Sequence, residues 1–505
     1  MPDSEAALAT VVERRAPDEL ICAPDEIFDA RAVEAALAGP GDPTELRARA
    51  VSVLGAARER GRDAIAAAFA ERPFEARGVT RAYTHLTDEI VRAAWRLASE
   101  RIVSGPEGKA APPAMAVLAV GGYGRGEMAP FSDVDLLFLT PDAADPLCEQ
   151  VVEAVLYILW DLKLKVGHAT RTVKDCLKLG AEDFTIRTAL LESRFLCGDA
   201  ALAARLERRL DAELFAGSER EFIEAKLAER DARHRKQGQR YMVEPNVKEG
   251  KGGLRDLQSL YWIAKYVHHV ENAADLVGIG VFRPEEYQRF ARAEAFLWAV
   301  RCHMHMLAGR AVEQLTFDLQ VEVAERMGYA DRAGRRAVEH FMQDYFLHAT
   351  AVGDLTRIFL TALEADHSRG TPLLERIFRR TPKVKPGYEV LHGRLAIADD
   401  AAFLADKLNI LRLFEEGLRT GLLIHPDAMR LVRANLHLID DDMRRDREAT
   451  RIFLDLLLKH GNPERALRRM NELGVLAAFI PEFAPVVAMM QFNMYHHYTV
   501  DEHTI

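Results

Sequence analysis

Cysteine is scarce in this chain. Five thiols, Cys22, Cys148, Cys176, Cys197 and Cys302, are spread over 505 residues, with no C-x-x-C and no paired spacing. That excludes a disulfide frame and a cysteine zinc site, and it fits the reduced thiols of a cytoplasmic protein. Long apolar runs are also missing: none approaches the roughly 20 residues that a membrane span needs. The opening MPDSEAALATVVERRAPDEL has no apolar centre of the kind a secretory signal carries. The expected location is therefore the cytoplasm, with no membrane partner. Positive charge is not in excess either. Lys and Arg number 67 against 77 Asp and Glu, a net charge of −10, which argues against a protein that coats nucleic acid. Any basic residues that meet an anionic ligand must be grouped locally. There is no internal repeat and no low-complexity tract.

What is present is ordinary for a globular protein: 49% hydrophobic and 29% charged residues. A chain of this length exceeds one core, so several folding units are expected. The informative stretch is Ala116–Leu139, AVLAVGGYGRGEMAPFSDVDLLFL. It reads as a strand, a Gly-Gly turn, a short helix and a second strand carrying Asp133 and Asp135. Acids at i and i+2 on a strand point to the same face. Two such carboxylates repel unless a cation sits between them. Hard Mg²⁺ (or Mn²⁺) takes a pair of carboxylates and fills its shell with water and substrate phosphates. Gly121 and Gly122, ahead of a helix start, suit a phosphate. Ser132 fixes the turn or donates to a phosphate. Arg125 either stabilises a leaving pyrophosphate or is a surface residue beside the motif.

The pattern G-G-Y-G-R-x(6)-S-D-x-D-L-L resembles the signature of the DNA polymerase beta-like nucleotidyltransferase superfamily. Its surroundings are similar to the bacterial family of PII uridylyltransferase/uridylyl-removing enzymes. A second cluster supports this. EPNVKEGKGGLRDLQ, 244–258, sets Lys248, Lys251 and Arg255 around a Gly-Gly ahead of a helix. Read alone, it is a basic turn capping a helix. It resembles the second signature of the same family, which implies a place at the active-site rim, with the three cations on phosphate or on a protein substrate. Asp256 orients Arg255 or caps the helix instead.

The resemblance implies an α+β fold, mostly helical, with a small polymerase beta-like sheet and helical domains. The expected division is an N-terminal helical region at 1–79, the nucleotidyltransferase domain at 80–240 and an associated helical domain at 241–367. An interdomain segment at 368–400 and a helical region at 401–505 follow. Helices are expected from Thr44 to about Glu71, from about Thr80 to Ile102, and from about Pro146 to Asp161. A strand is expected over 162–172, and helices alone over 173–240. The superfamily supplies a third acid from a neighbouring strand. Here that strand offers His168, with Asp161 before it and Asp183 after it, and the position stays open.

The implied activity is metal-dependent transfer of UMP from UTP to a tyrosine of the PII nitrogen-regulatory protein, releasing pyrophosphate. One rival is an adenylyltransferase of the glutamine synthetase type. The other is a regulatory module that binds nucleotide or PII without turnover. At the far end, YTVDEHT resembles the opening of the family's HD hydrolase domain, with His503 matching its first metal ligand. The rest of that motif, and the family's glutamine-sensing domains, are not in the sequence. A chain cut at the start of the HD domain, without the uridylyl-removing activity, is therefore expected. Its last dozen residues are expected to have nothing to pack against.

Overall fold

The computed structural model describes residues 20–103, 114–142, 145–237, 242–270, 273–367, 382–491 and 498–505. It is mostly helical, with two small sheets among the described residues. The first sheet has four strands: β1 (Ala116–Ala119), β2 (Val134–Thr140), β3 (Val166–Thr172) and β4 (Arg194–Gly198), in the order β3-β2-β1-β4. β1 is antiparallel to β2 and β4, and β2 runs parallel to β3.

The parallel pair requires a crossover, which the helix Pro146–Asp161 supplies. Asp145 caps that helix by accepting from Leu147 N at 2.9 Å, with Pro146 at the first helical position. Val151, Val155, Leu156 and Leu159, the face read from the 3.6-residue spacing, are all buried. This helix packs on the long helices Pro43–Glu71 and Ala76–Leu97. The first of these starts from a reciprocal box: Glu45 N donates to Asp42, and the Glu45 carboxylate accepts from Asp42 N.

β4 lies where only helices were expected. Its five residues, RFLCG, are too few to show alternation, and their pairing with β1 is non-local. Arg194 gives the strand its importance. Its guanidinium makes two bonds to Asp88 of the Ala76–Leu97 helix, at 2.7 and 2.8 Å. It also donates to the carbonyls of Gly124 and Tyr123, each at 3.3 Å. One largely covered cation thereby ties the helical layer, the sheet and the glycine turn together.

A second core, from Leu395 to Phe479, is separate from the first. The connector read over 368–400 is more than a linker. Residues 368–381 lie outside the described ones, but β5 (Tyr388–Leu391) and β6 (Arg394–Ile397) form a hairpin whose Leu395 is fully buried in this core. β6 pairs in parallel with the two-residue β7 (Leu423–Ile424). The end of the chain also corrects expectation over its described residues, 498–505, while 494–497 lie outside the described ones. Tyr498 bridges Met242, and Asp501, 2% exposed, accepts from Asn471 Nδ2 and Ala488 N, each at 2.8 Å. No helix of the described residues is long and apolar enough to cross a membrane.

Removing one partner of a buried ion pair leaves the other charge uncompensated. Asp88→Ala is expected to cost about 3 kcal/mol or more, seen as an earlier first transition in thermal unfolding. Asp88→Leu combined with Arg194→Met should recover part of that loss. Equal melting of Asp88→Ala and wild type would show that the pair does not hold the turn to the sheet.

Candidate active site

β1 ends at Ala119, and the chain turns through Gly121 and Gly122 into the five-residue helix Gly121–Arg125. Val120 N donates to the carbonyl of Asp135 at 3.0 Å, which fixes the turn against the start of β2. Ser132 closes the loop between them: its N donates to Ala129 O, and its Oγ accepts from Ala129 N, both at 3.0 Å. Turn-fixing is thus the observed role of Ser132, and its hydroxyl proton remains available to an anion.

Asp133 stands just before β2 and is exposed, with Lys165 Nζ at 3.7 Å. Asp135 lies one step into the strand, beside Gly167 of β3. A Cβ on Gly167 would fall 2.4 Å from Asp135 Oδ1, and one on Gly121 would fall 3.6 Å from Asp135 Oδ2. The carboxylate therefore occupies space that the bare backbone of Gly167 leaves, with Gly121 in ordinary contact on its other side. Burial, and then the charge of Asp133, push the Asp135 carboxyl above the usual carboxylate range, while Lys248 opposes them. At Gly122 an added Cβ would meet nothing nearer than 3.6 Å, so that position is open.

Lys248 reaches this site from the second cluster. Burial, then Arg301 and Arg255, lower the pKa of its ammonium, against Glu313 and Glu249. Behind it, in the helix Pro284–Ala308, Arg301 is locked to Glu313 by bonds of 2.6–3.1 Å. Arg255 adjoins Lys248 but is engaged: it bonds Glu249 at 3.1–3.2 Å and Gln258 at 2.8 Å, and lies over Trp262. Asp256 does not orient Arg255. It is 2% exposed and accepts from Gly252 N at 2.8 Å, His234 Nε2 at 2.8 Å and Arg233. It thus pins the glycine loop to the helix Glu219–Gln237. Lys251 is exposed and lines a separate hollow of about 160 Å³ with Lys236, Asn246 and Tyr345.

Arg125 does not stand as a phosphate ligand. Its guanidinium is buried, bonded to Glu192 at 2.6 and 2.8 Å and to Glu127 at 2.9 Å. Against burial, these two acids hold its pKa up. Next to them, burial and then Glu127 push the Glu294 carboxyl up to about 8. None of the three candidates for a third acid joins the pair. His168 is opposite Leu136, hence on the other face of the sheet from Asp135, and meets Trp160 edge-on at 5.9 Å. Asp161 pairs with Arg47, and Asp183 caps the helix Phe184–Leu191. His503 is exposed, 5.9 Å from the ring of Tyr498. Among the described residues no group of three or more His, Cys, Asp or Glu is placed to hold a metal.

Asp133, Asp135, Gly121, Gly122, Ser132 and Lys248 thus converge, with Arg255 beside them. Sequence reasoning passed over Gly167, although a lone glycine inside a strand signals close approach. Arg301 and Glu313 carried no local signal. Two hard carboxylates facing an open glycine turn fit a divalent cation that shares its shell with phosphates.

A small mixed sheet with a glycine turn and a carboxylate pair at the start of the adjoining strand is a nucleotidyltransferase-like fold. The family model described as a putative nucleotidyltransferase of the DUF294 type matches residues 60–165, which hold the turn and both aspartates. The GlnD PII-uridylyltransferase model matches 221–360, and the uridylyltransferase GlnD third-domain model matches 388–479. The chain is a relative of the proteins named bifunctional uridylyltransferase/uridylyl-removing enzyme. It is 68% identical to that of Ruegeria pomeroyi over 94% of this chain and 52% of that protein. It is 61% identical to that of Cereibacter sphaeroides, over 96% and 53%, and 48% identical to that of Azospirillum brasilense, over 94% and 51%. The chain therefore spans about half the length of the curated relatives it matches.

Gly167→Ala changes no charge but intrudes on Asp135. It is expected to weaken Mn²⁺ binding by roughly 10–100-fold, read by paramagnetic resonance. Asp135→Asn should lose the metal yet melt no lower than wild type at neutral pH. A carboxyl whose pKa is raised on folding binds more protons folded than unfolded, so its ionisation costs stability as pH rises through that window. The neutral amide avoids that cost. Full Mn²⁺ affinity in Gly167→Ala would detach Asp135 from the metal site.

Proposed function

We propose that this chain moves UMP from UTP to a tyrosine hydroxyl of a PII signalling protein and releases pyrophosphate. The observation that carries this is the convergence of Asp133, Asp135 and Lys248 from two signatures more than a hundred residues apart in sequence. The names of the relatives supply the substrate class. Asp133 and Asp135 would hold Mg²⁺ or Mn²⁺, which lowers the cost of the charge that builds on the phosphates during transfer. Gly121 and Gly122 leave room for the triphosphate. Lys248 sits opposite the acids and neutralises phosphate charge. Its pKa is lowered by burial and then by neighbouring cations, whose repulsion an incoming anion relieves.

The leaving pyrophosphate is an anion that needs electrostatic help more than covalent chemistry. The acceptor is a phenol, already more acidic than an aliphatic alcohol. That suits a site in which no third carboxylate stands with the pair among the described residues. A cytoplasmic location accompanies this reading.

Labelled UTP, Mg²⁺ and purified PII should give labelled PII, while labelled ATP gives little. Asp133→Asn and Asp135→Asn should each reduce transfer by roughly two to three orders of magnitude or more. Lys248→Ala should reduce it less severely, mainly by weakening nucleotide binding. Transfer of AMP to glutamine synthetase in place of this reaction would favour the adenylyltransferase rival. Nucleotide binding with no transfer to either protein would favour the regulatory module.

A further inference from the structure

A cleft of about 380 Å³ lies where the second core meets the first. It is formed by the helices Pro284–Ala308 and Ala337–His367 on one side and Pro426–Ala434 on the other. Its size is that of a small-molecule site. Five arginines line it, Arg283, Arg289, Arg357, Arg430 and Arg433, against three carboxylates, Glu285, Glu286 and Asp354. The whole chain carries a net charge of −10, so this local excess of cations runs against the global charge. Ile358, Met429 and Leu473 add an apolar wall.

The arginines are unevenly neutralised. Arg430 has its own partners, gripping Glu286 with bonds of 2.6 and 2.7 Å and Asp427 at 2.8 Å. Asp354 by contrast serves three guanidiniums while only 3% exposed. Arg433 bonds it at 2.5 Å, Arg289 at 3.5 Å, and Arg357 also contacts it. One carboxylate neutralises one of the three. Arg357 has a second acid, Glu472 at 3.6 Å, but Arg469 shares that acid. Arg289 is left with the longest contact. Burial, and then the charge of Arg433, lower its pKa against the opposing pull of Asp354 and Glu286. Holding guanidiniums together in a partly buried cleft is unfavourable without an anion.

We propose that this cleft binds a small organic dianion, a dicarboxylate or a phosphate monoester, whose charge completes the shell around Arg289 and Arg433 and whose carbon body lies against Ile358, Met429 and Leu473. Guanidiniums suit both headgroups, because their paired N–H donors match carboxylate and phosphate alike. The ligand would touch helices of both cores and so stabilise their junction.

The test titrates the full chain with succinate and with glycerol 3-phosphate, by calorimetry and by thermal shift. At least one should bind saturably and raise the unfolding temperature with concentration, and the tighter of the two tells carboxylate from phosphate. Arg289→Gln should weaken that binding about tenfold or more. Asp354→Asn should strengthen it severalfold, since it removes the competing anion. Lys248→Gln, in the nucleotide site, should leave it unchanged. If Arg289→Gln loses helical circular dichroism, Arg283→Gln at the rim makes the same comparison. The proposal is overturned if neither compound binds saturably. It is equally overturned if binding survives the arginine substitutions unchanged, or is lost in Lys248→Gln.

Discussion

Two negative charges are kept side by side at the start of β2, and the site is built around that unfavourable arrangement. The Asp135 carboxylate is seated against the bare backbone of Gly167, within reach of the charge of Asp133. It is partly buried, and burial and then Asp133 raise its pKa. A structure that retains this strain leaves the pair hungry for a cation. The opposing charges that the protein itself offers are Lys165, beside Asp133, and Lys248, which has two further cations, Arg255 and Arg301, close by. Acids on one wall and cations on the other are the complement of a metal-bound phosphate.

Holding those walls apart falls to ion pairs that are themselves satisfied. Arg194 binds Asp88 and the carbonyls of the glycine turn. Arg125 is enclosed by Glu192 and Glu127, and Trp262 donates to Glu192 from the helix that carries Arg255. Arg301 and Glu313 stand behind Lys248. Each is a buried charge whose partner fixes its position, which makes the scaffold rigid where a metal site tolerates little movement.

The parts legible in the sequence are those with local signatures. The Pro146–Asp161 helix matches its reading, since its apolar spacing lies within its own sixteen residues. The strand-turn-strand was legible for the same reason, although only Asp135 lies within the strand and Asp133 stands just before it. β4 was not, because five residues beside two helices carry no periodicity and only pairing with β1 makes them a strand. Arg125 was misleading: it lies inside the motif, yet a carboxylate 67 residues away engages it. The second signature announced a basic glycine loop. Only the fold shows that Lys248 faces the acids, that Arg255 is tied back by Glu249 and that Asp256 serves the loop rather than Arg255.

The most direct measurement is diffraction from crystals of this chain soaked with Mn²⁺ and a non-hydrolysable UTP analogue. The account predicts anomalous density between the carboxylates of Asp133 and Asp135, with the triphosphate running along Gly121 and Gly122 and within hydrogen-bond reach of Lys248 Nζ. Metal bound away from both aspartates, or a triphosphate seated elsewhere on the chain, would contradict it.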